Sequence, residues 1–192
     1  MKKNKKGFTL IELLAVIVIL GILMMTAIPA VSRAITKSRR NTYWQNAKQY
    51  IQASQTPFLS GEYVKAGSSD ICGTPAVGTG YYILLSDLEL EAGSVTKSSF
   101  GALYNTSGTC QPRVIVTNEG KTINAGQENE ETIDSLVWYF VGTDQSKNGI
   151  DAPVREARLG IGSVKVSNAS TTCTTTISFG ESTITPTQCS KQ

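Results

Sequence analysis

Hydrophobic side chains are concentrated in one block near the start of this chain. From Phe8 onward apolar residues follow one another almost without interruption, and no charge occurs between Leu13 and Ser32. A run of about twenty such residues is long enough to span a bilayer as a helix. It is also longer than the roughly 7–15-residue apolar stretch of a secretory signal peptide. From residue 33 the pattern changes. Tyr43, Trp44, Ala47, Tyr50, Ile51 and Ser54 recur at helical spacing, while Arg39, Arg40, Gln45, Asn46, Lys48, Gln49 and Gln52 fill the other positions. This predicts an amphipathic helix whose aromatic stripe packs on a sheet. The two halves together predict one helix over residues 8–55, about 72 Å long at 1.5 Å per residue. Pro57 is expected to stop it, because the residue before a proline avoids the helical region. Gly21 and Pro29 bracket a stretch whose backbone bonds break more cheaply than elsewhere, and Pro29 predicts a kink.

Beyond Pro57 the helical period disappears. Residues 58–110 read as a Gly/Ser-rich connector. Leu84, Leu85, Leu88 and Leu90 suggest a short helix or turn near Ser86-Asp87-Leu88, with Ser86 and Asp87 as N-cap residue types. Strand patterns follow. Residues 113–117 are β-branched and end at the turn Asn118-Glu119-Gly120. Residues 136–141, Leu-Val-Trp-Tyr-Phe-Val, give the strongest strand pattern and are expected at the centre of a sheet. Residues 158–166 alternate around Gly160 and Gly162, and residues 174–179 make a fourth segment. Short loops between about four strands predict an antiparallel meander, with the aromatic helix face covering one side. The fold class is therefore α+β. The expected segments are residues 1–7 as a leader, 8–32 as a membrane or filament-core helix, 33–56 as its amphipathic half, and 57–192 as a globular head.

Composition narrows the function. Mean hydropathy is −0.08 and 40% of residues are hydrophobic, which fits one span rather than a polytopic membrane protein. Net charge is +3, and four lysines precede Phe8, so the chain without residues 1–7 sits near −1. No basic bias points to nucleic acid. The chain has no histidine, which removes His-based acid–base chemistry and Ser-His-Asp triads. No nucleophile elbow or phosphate loop occurs, and Gly160-Ile161-Gly162 lacks the third glycine of a dinucleotide fingerprint. Glu128, Glu130, Glu131 and Asp134 lie between two strand segments and read as a solvated loop. No enzymatic activity and no cofactor are expected. One loop keeps calcium open: Asp144, Ser146 and Asn148 place oxygens at alternate positions before Gly149, with Asp151 beyond. Arg155 stands where such a loop needs a bidentate Glu, and the competing reading is a hairpin turn on Asn148-Gly149.

The four cysteines are Cys72, Cys110, Cys173 and Cys189, none in a C-x-x-C pair. With no histidine to join them, a soft metal site is disfavoured. An even count in a domain outside the membrane favours disulfides, and three connectivities are open.

The most informative residue is Glu12, a carboxylate near the start of the apolar run. On the lenient insertion scales such a charge costs about 2.5–3.5 kcal/mol within a membrane helix, and it demands a partner. Gly7-Phe8-Thr9-Leu10-Ile11-Glu12, followed by Leu13-Leu14 and preceded by Lys2, Lys3, Lys5 and Lys6, resembles the class III signal of type IV prepilins. The resemblance implies a type IV pilin fold. It also implies cleavage between Gly7 and Phe8 by a prepilin peptidase, N-methylation of Phe8, and pairing of Glu12 with the amino terminus of a neighbouring subunit. In that family the stretch around Pro29 often unwinds on assembly. The Cys173–Cys189 span resembles the disulfide-bounded region of many type IV pilins, leaving Cys72–Cys110; each bridge then closes a shorter loop than in the crossed pairings. Residues 99–104, Ser-Phe-Gly-Ala-Leu-Tyr, are similar to the aromatic-Gly-x-x-Tyr segment of secretion pseudopilins, with Ser98-Ser99 in place of Asp-Pro.

The function implied is a structural subunit of an extracellular type IV pilus supporting adhesion, motility or surface attachment. The alternatives are a pseudopilin of a type II secretion or competence system, or a minor tip pilin acting as an adhesin. Implied partners are further copies of the chain, the prepilin peptidase, an inner-membrane assembly platform and motor, minor pilins, and membrane lipid before assembly. No specific nucleic acid is expected. The lysines before Phe8 place the leader in the cytoplasm by the positive-inside rule, although Arg33, Lys37, Arg39 and Arg40 on the far side oppose it. The precursor is expected as a single-pass membrane protein and the assembled form in an extracellular filament.

Overall fold

The computed structural model describes residues 7, 9–90, 94–127, 130–179 and 182–192. They divide into two compact units, Met1–Ser38 and Arg39–Gln192. Helix α1, Leu10–Leu59, begins in the first and ends in the second. From Leu13 to Ser32 α1 carries no charge, and it passes without interruption through Gly21 and Pro29. Pro29 has no N–H to give to the Met25 carbonyl four residues back.

In the second unit α1 buries Tyr43, Ala47, Tyr50, Ile51, Ser54 and Phe58, the stripe that the three-four spacing predicts. The helix runs past Pro57, where the sequence places its stop. Phe58 explains the extra turn: it is 2% exposed and packs edge-on against Trp138 at 5.6 Å. Termination falls to Gly61, whose φ of +79° suits a residue without a Cβ. There Glu62 N–H donates to the Pro57 carbonyl at 3.0 Å and Gly61 N–H to the Phe58 carbonyl at 3.2 Å, the paired bonds of a Schellman cap.

The strands in chain order are β1 Tyr63–Lys65, β2 Gly80–Leu84, β3 Arg113–Asn118, β4 Lys121–Ile123, β5 Glu131–Ile133, β6 Leu136–Thr143, β7 Gly149–Arg155, β8 Ile177–Phe179, β9 Ser182–Ile184 and β10 Thr187–Lys191. Six form the main sheet in the order β1-β10-β2-β3-β6-β7, and β4–β5 and β8–β9 form two separate pairs. The long central strands β3 and β6 are those the sequence marks most clearly. The expected simple meander is replaced by an insertion: β10 lies between β1 and β2 and runs parallel to β2. Residues 158–166 do not form a strand. They hold the 3-10 turn Ile161–Ser163 and the last residue of another, Glu156–Arg158. The outer neighbour of β6 is instead β7, whose Pro153 is tolerated because β7 is an edge strand. Of residues 174–179 only β8 is extended. The predicted short helix near Ser86 is one 3-10 turn, Leu85–Asp87, with no side-chain cap.

Alternation along β3 and β6 sends successive side chains to opposite faces. Val114, Val116, Trp138 and Phe140 join Tyr43, Tyr50 and Phe58 of α1 in one core. Ile115, Tyr139 and Val141 join Ile177 and Ile184 of β8 and β9 in a second core on the other face. Tyr43 donates to the Gly142 carbonyl at 2.7 Å. Gly149 makes room for this: a Cβ there would lie 2.7 Å from the Tyr43 hydroxyl.

All four cysteines are bridged, but as Cys72–Cys189 and Cys110–Cys173. The expected pairs Cys173–Cys189 and Cys72–Cys110 are thereby corrected. Cys72 and Cys189 lie in the helix-side core, Cys110 and Cys173 in the opposite one, so the sheet separates the partners that loop length favours. Closure entropy grows only slowly with loop length, and strand parity decides. Peptide mapping without reductant should recover Cys72 joined to Cys189; a Cys173–Cys189 peptide would contradict the fold. Replacing Cys110 and Cys173 together by serine should cost about 2–4 kcal/mol in denaturant unfolding.

Burial raises the pKa of the Tyr43, Tyr50 and Tyr104 phenols above the ordinary value of 10.0. The unfolded chain can ionise them from about pH 10 while the folded head holds their protons, so stability is fully present below that pH and declines above it. Alkaline titration should show these three phenols ionising together with unfolding. Complete tyrosinate absorbance with intact sheet circular dichroism would refute this packing.

Candidate functional site

The first turn of α1 is closed by its own side chains. Thr9 is the N-cap, and its carbonyl accepts from Leu13 N–H at 3.2 Å. The Thr9 hydroxyl accepts from Glu12 N–H at 3.3 Å. In return Glu12 Oε2 accepts from Thr9 N–H and from the Thr9 hydroxyl, each at 2.8 Å. This is a reciprocal capping box, which satisfies donors that a helix end leaves unpaired. A carboxylate at this end also complements the helix dipole. Among the described residues, Oε1 of Glu12 accepts no hydrogen bond, so half of the carboxylate remains available. The signal was present in the sequence as Thr9-x-x-Glu12.

Among the described residues of the first unit, the helix has no partner around this cap. Leu10 is 82% exposed and Ile11 73%. Large apolar residues onward to Ile35 are exposed too, on all sides of the helix. A helix hydrophobic all round belongs in lipid or in the core of a larger assembly. Gly7 is exposed with open space about it. Residues 1–6 and Phe8 lie outside the described residues, so the Gly7–Phe8 junction is not placed. Glu128 of the acidic loop lies outside them as well; Glu130, Glu131 and Asp134 are exposed.

The suggested calcium loop is the β6–β7 turn. Asp144 is 1% exposed, and its carboxylate faces donors. Oδ1 accepts from Ser146 N–H and Asn148 N–H at 2.9 Å, and Oδ2 from the Ser98 hydroxyl at 2.6 Å. Ser146 contributes its backbone N–H to this cluster, and the Asn148 amide donates to both carboxylate oxygens at 3.1 Å. Asp151 is held elsewhere by Lys165 Nζ at 2.7 Å and Ser170 N–H at 2.8 Å. The four proposed ligands therefore do not converge. The geometry is that of the hairpin turn, with Lys147 at φ 58°.

Two polar clusters escaped the sequence reading. Glu119, 7% exposed, pairs with Arg155 and accepts from the Tyr139 hydroxyl. Burial is the largest cause of the raised Tyr139 pKa, and the Glu119 hydrogen bond adds to it. Tyr139 and Arg155 are register partners across β6 and β7, invisible while β7 is read as a loop. The second cluster surrounds Arg113, a strand residue with 7% exposure.

An apolar, self-capped helix that continues as the cover of a sheet defines a class of protein: a subunit carrying an anchor or assembly stem in the same helix that organises its head. A family model for the prokaryotic N-terminal methylation motif matches residues 2–28. The chain is 30% identical over 118 residues to the type IV major fimbrial protein FimA of Dichelobacter nodosus, covering 53% of this chain and 74% of that protein. A second FimA sequence from the same organism is 40% identical over 62 residues, covering 32% of this chain and 40% of that one. No solved structure matches the chain. The chain belongs to the type IV pilin family.

Replacing Thr9 by valine removes the hydroxyl from the cap while keeping shape. The first turn of α1 should lose about 1 kcal/mol, seen as faster amide hydrogen exchange at the helix start in detergent micelles. Thr9→Ser should restore protection.

Proposed function

We propose that the chain, cleaved between Gly7 and Phe8 by a prepilin peptidase and N-methylated on Phe8, is the structural subunit of an extracellular type IV pilus filament. The observation that carries this reading is the start of α1: free of charge from Leu13 to Ser32, capped at Thr9, with one Glu12 oxygen left over among the described residues. As a precursor the segment sits in the membrane, leader in the cytoplasm. On assembly, residues 8–32 of many copies exchange lipid contacts for contacts with one another, while the head faces outward. An assembly platform, a motor and minor pilins complete the machinery, and the filament serves adhesion, motility or surface attachment.

Glu12 couples processing to assembly. A carboxylate buried among apolar helices without a partner costs several kcal/mol. Cleavage creates the ammonium of Phe8, a cation at nearly the same depth on a neighbouring copy. The Thr9 cap holds Oε2 and leaves Oε1 to accept from that ammonium. The pair fixes the axial register between neighbours. Pro29, with its missing N–H, marks where the helix can open as subunits pack.

A pseudopilin reading draws on Phe100 and Tyr104, whose rings pack 6.2 and 6.1 Å from that of Tyr43. The major fimbrial character of the relatives supports the pilus reading over it. Glu12→Gln should leave cleavage and head folding intact. Since each 1.4 kcal/mol is a tenfold change, loss of the pair should cut filament yield by about tenfold or more. Normal filament numbers in electron micrographs, at equal levels of mature chain, would reject the pairing role. Gly7→Leu should leave an uncleaved precursor, and a normal mature mass from that variant would remove the processing step itself.

A further inference from the structure

On the sheet face turned away from α1, a cavity of about 350 Å³ opens above β2 and β3. Its size lies within the roughly 300–1,000 Å³ of small-molecule sites. Alternation sets its lining. Ile83 points into the helix-side core, so Tyr82 and Leu84 face the cavity, and Arg113 stands beside Leu84 as its register partner. Thr109, Thr175 and Gln188 form the walls. Among the described residues no carboxylate lines it.

Arg113 is the unusual member. It is 7% exposed and has no ion-pair partner among the described residues, whose salt bridges are made by Arg155, Lys165 and Lys191. Its Nε donates to the Gln111 carbonyl at 3.1 Å and Nη2 to the Gly108 carbonyl at 2.8 Å. The guanidinium lies 4.6 Å from the centre of the Tyr82 ring. A guanidinium carries five N–H donors in a rigid fork, so these bonds fix its plane without using all of them. A buried cation lacking a counter-ion is costly. Burial holds its pKa below the ordinary arginine value.

The neighbouring polar groups present donors. Tyr82 donates to Gln188 Oε1 at 3.1 Å, which leaves the Gln188 amide N–H groups to be used. Thr109 accepts from Cys173 N–H at 3.0 Å, leaving its own hydroxyl proton. A fork of positive charge, an amide and a hydroxyl thus meet in one cavity with an apolar wall at Leu84. Their complement is a carboxylate, which an arginine binds through two parallel bonds, attached to a hydroxylated ring of monosaccharide size.

We propose that this cavity is a binding site for an acidic sugar of the hexuronate type, with the carboxylate on Arg113 and the ring between Leu84 and Gln188. The site lies in the head and holds whichever filament the chain serves.

The test uses the full mature chain in detergent micelles and three probes: glucuronate, glucose and acetate. Saturation-transfer NMR should show glucuronate binding with a Kd on the order of 1 mM. Glucose lacks the carboxylate and acetate the ring, so each should bind at least about tenfold more weakly. Arg113→Gln should abolish glucuronate binding, and Arg113→Lys, which keeps the charge without the fork, should restore little of it. Because Arg113 also holds two carbonyls, Gln188→Ala decides independently. Gln188 is half-buried and belongs to neither core, and its loss should weaken glucuronate severalfold while the circular dichroism of the head stays unchanged. Failure of glucuronate to saturate at about 20 mM, binding of glucose or acetate equal to glucuronate, or indifference to Gln188→Ala in the folded chain would each overturn the assignment.

Discussion

A six-stranded sheet has two faces, and both must be kept from water. That constraint organises the head. One face is covered by a helix already committed by its aromatic stripe, the other by the C-terminal segment carrying β8 and β9. The two coverings differ in kind. Tyr43, Tyr50 and Phe58 bring large rings at helical intervals and need little else. The C-terminal segment brings two short strands with Ile177 and Ile184 as their core residues, and Cys110–Cys173 ties it to the loop before β3. Disulfides do most for segments that cannot bury enough apolar surface on their own.

The stem obeys a different constraint. Its side chains lie exposed on all sides, so its stability is defined by whatever surrounds it. Lipid and like helices are both apolar, and neither distinguishes one depth from another. Only the polar first turn differs, and there Thr9 and Glu12 close the helix end on each other. In the filament we propose, a carboxylate already oriented by this cap would lose less freedom on pairing.

Much of this was legible in the chain. Apolar length and three-four spacing revealed α1, because helical periodicity is local and strong. β3 and β6 were legible because buried central strands are β-branched and aromatic. The failures share a cause. β7 contains Asp151 and Pro153, and β10 reads Thr-Gln-Cys-Ser-Lys; both are held by neighbours rather than by their own composition. Gly80 to Leu84 was passed over inside a connector, although two tyrosines, isoleucine and leucine are good strand formers. Its partners lie far along the chain. The cysteine pairing failed for the same reason, since it depends on which side of the sheet each residue faces. At the functional end, the Thr9-x-x-Glu12 box was readable and the Glu119–Tyr139–Arg155 cluster was not, because its register exists only once β7 is a strand.

The position of β10 also bears on the order of events during synthesis. β1 touches the main sheet only through β10, and residues 63–65 must wait until residues 187–191 have been made before they can join. β2, β3, β6 and β7 can pair as soon as residue 155 emerges, and β6 with β7 is a local hairpin. Contacts of such long sequence separation form late. A sheet nucleus of β2, β3, β6 and β7 can therefore form first, with a gap beside β2 that β10 fills and Cys72–Cys189 then secures.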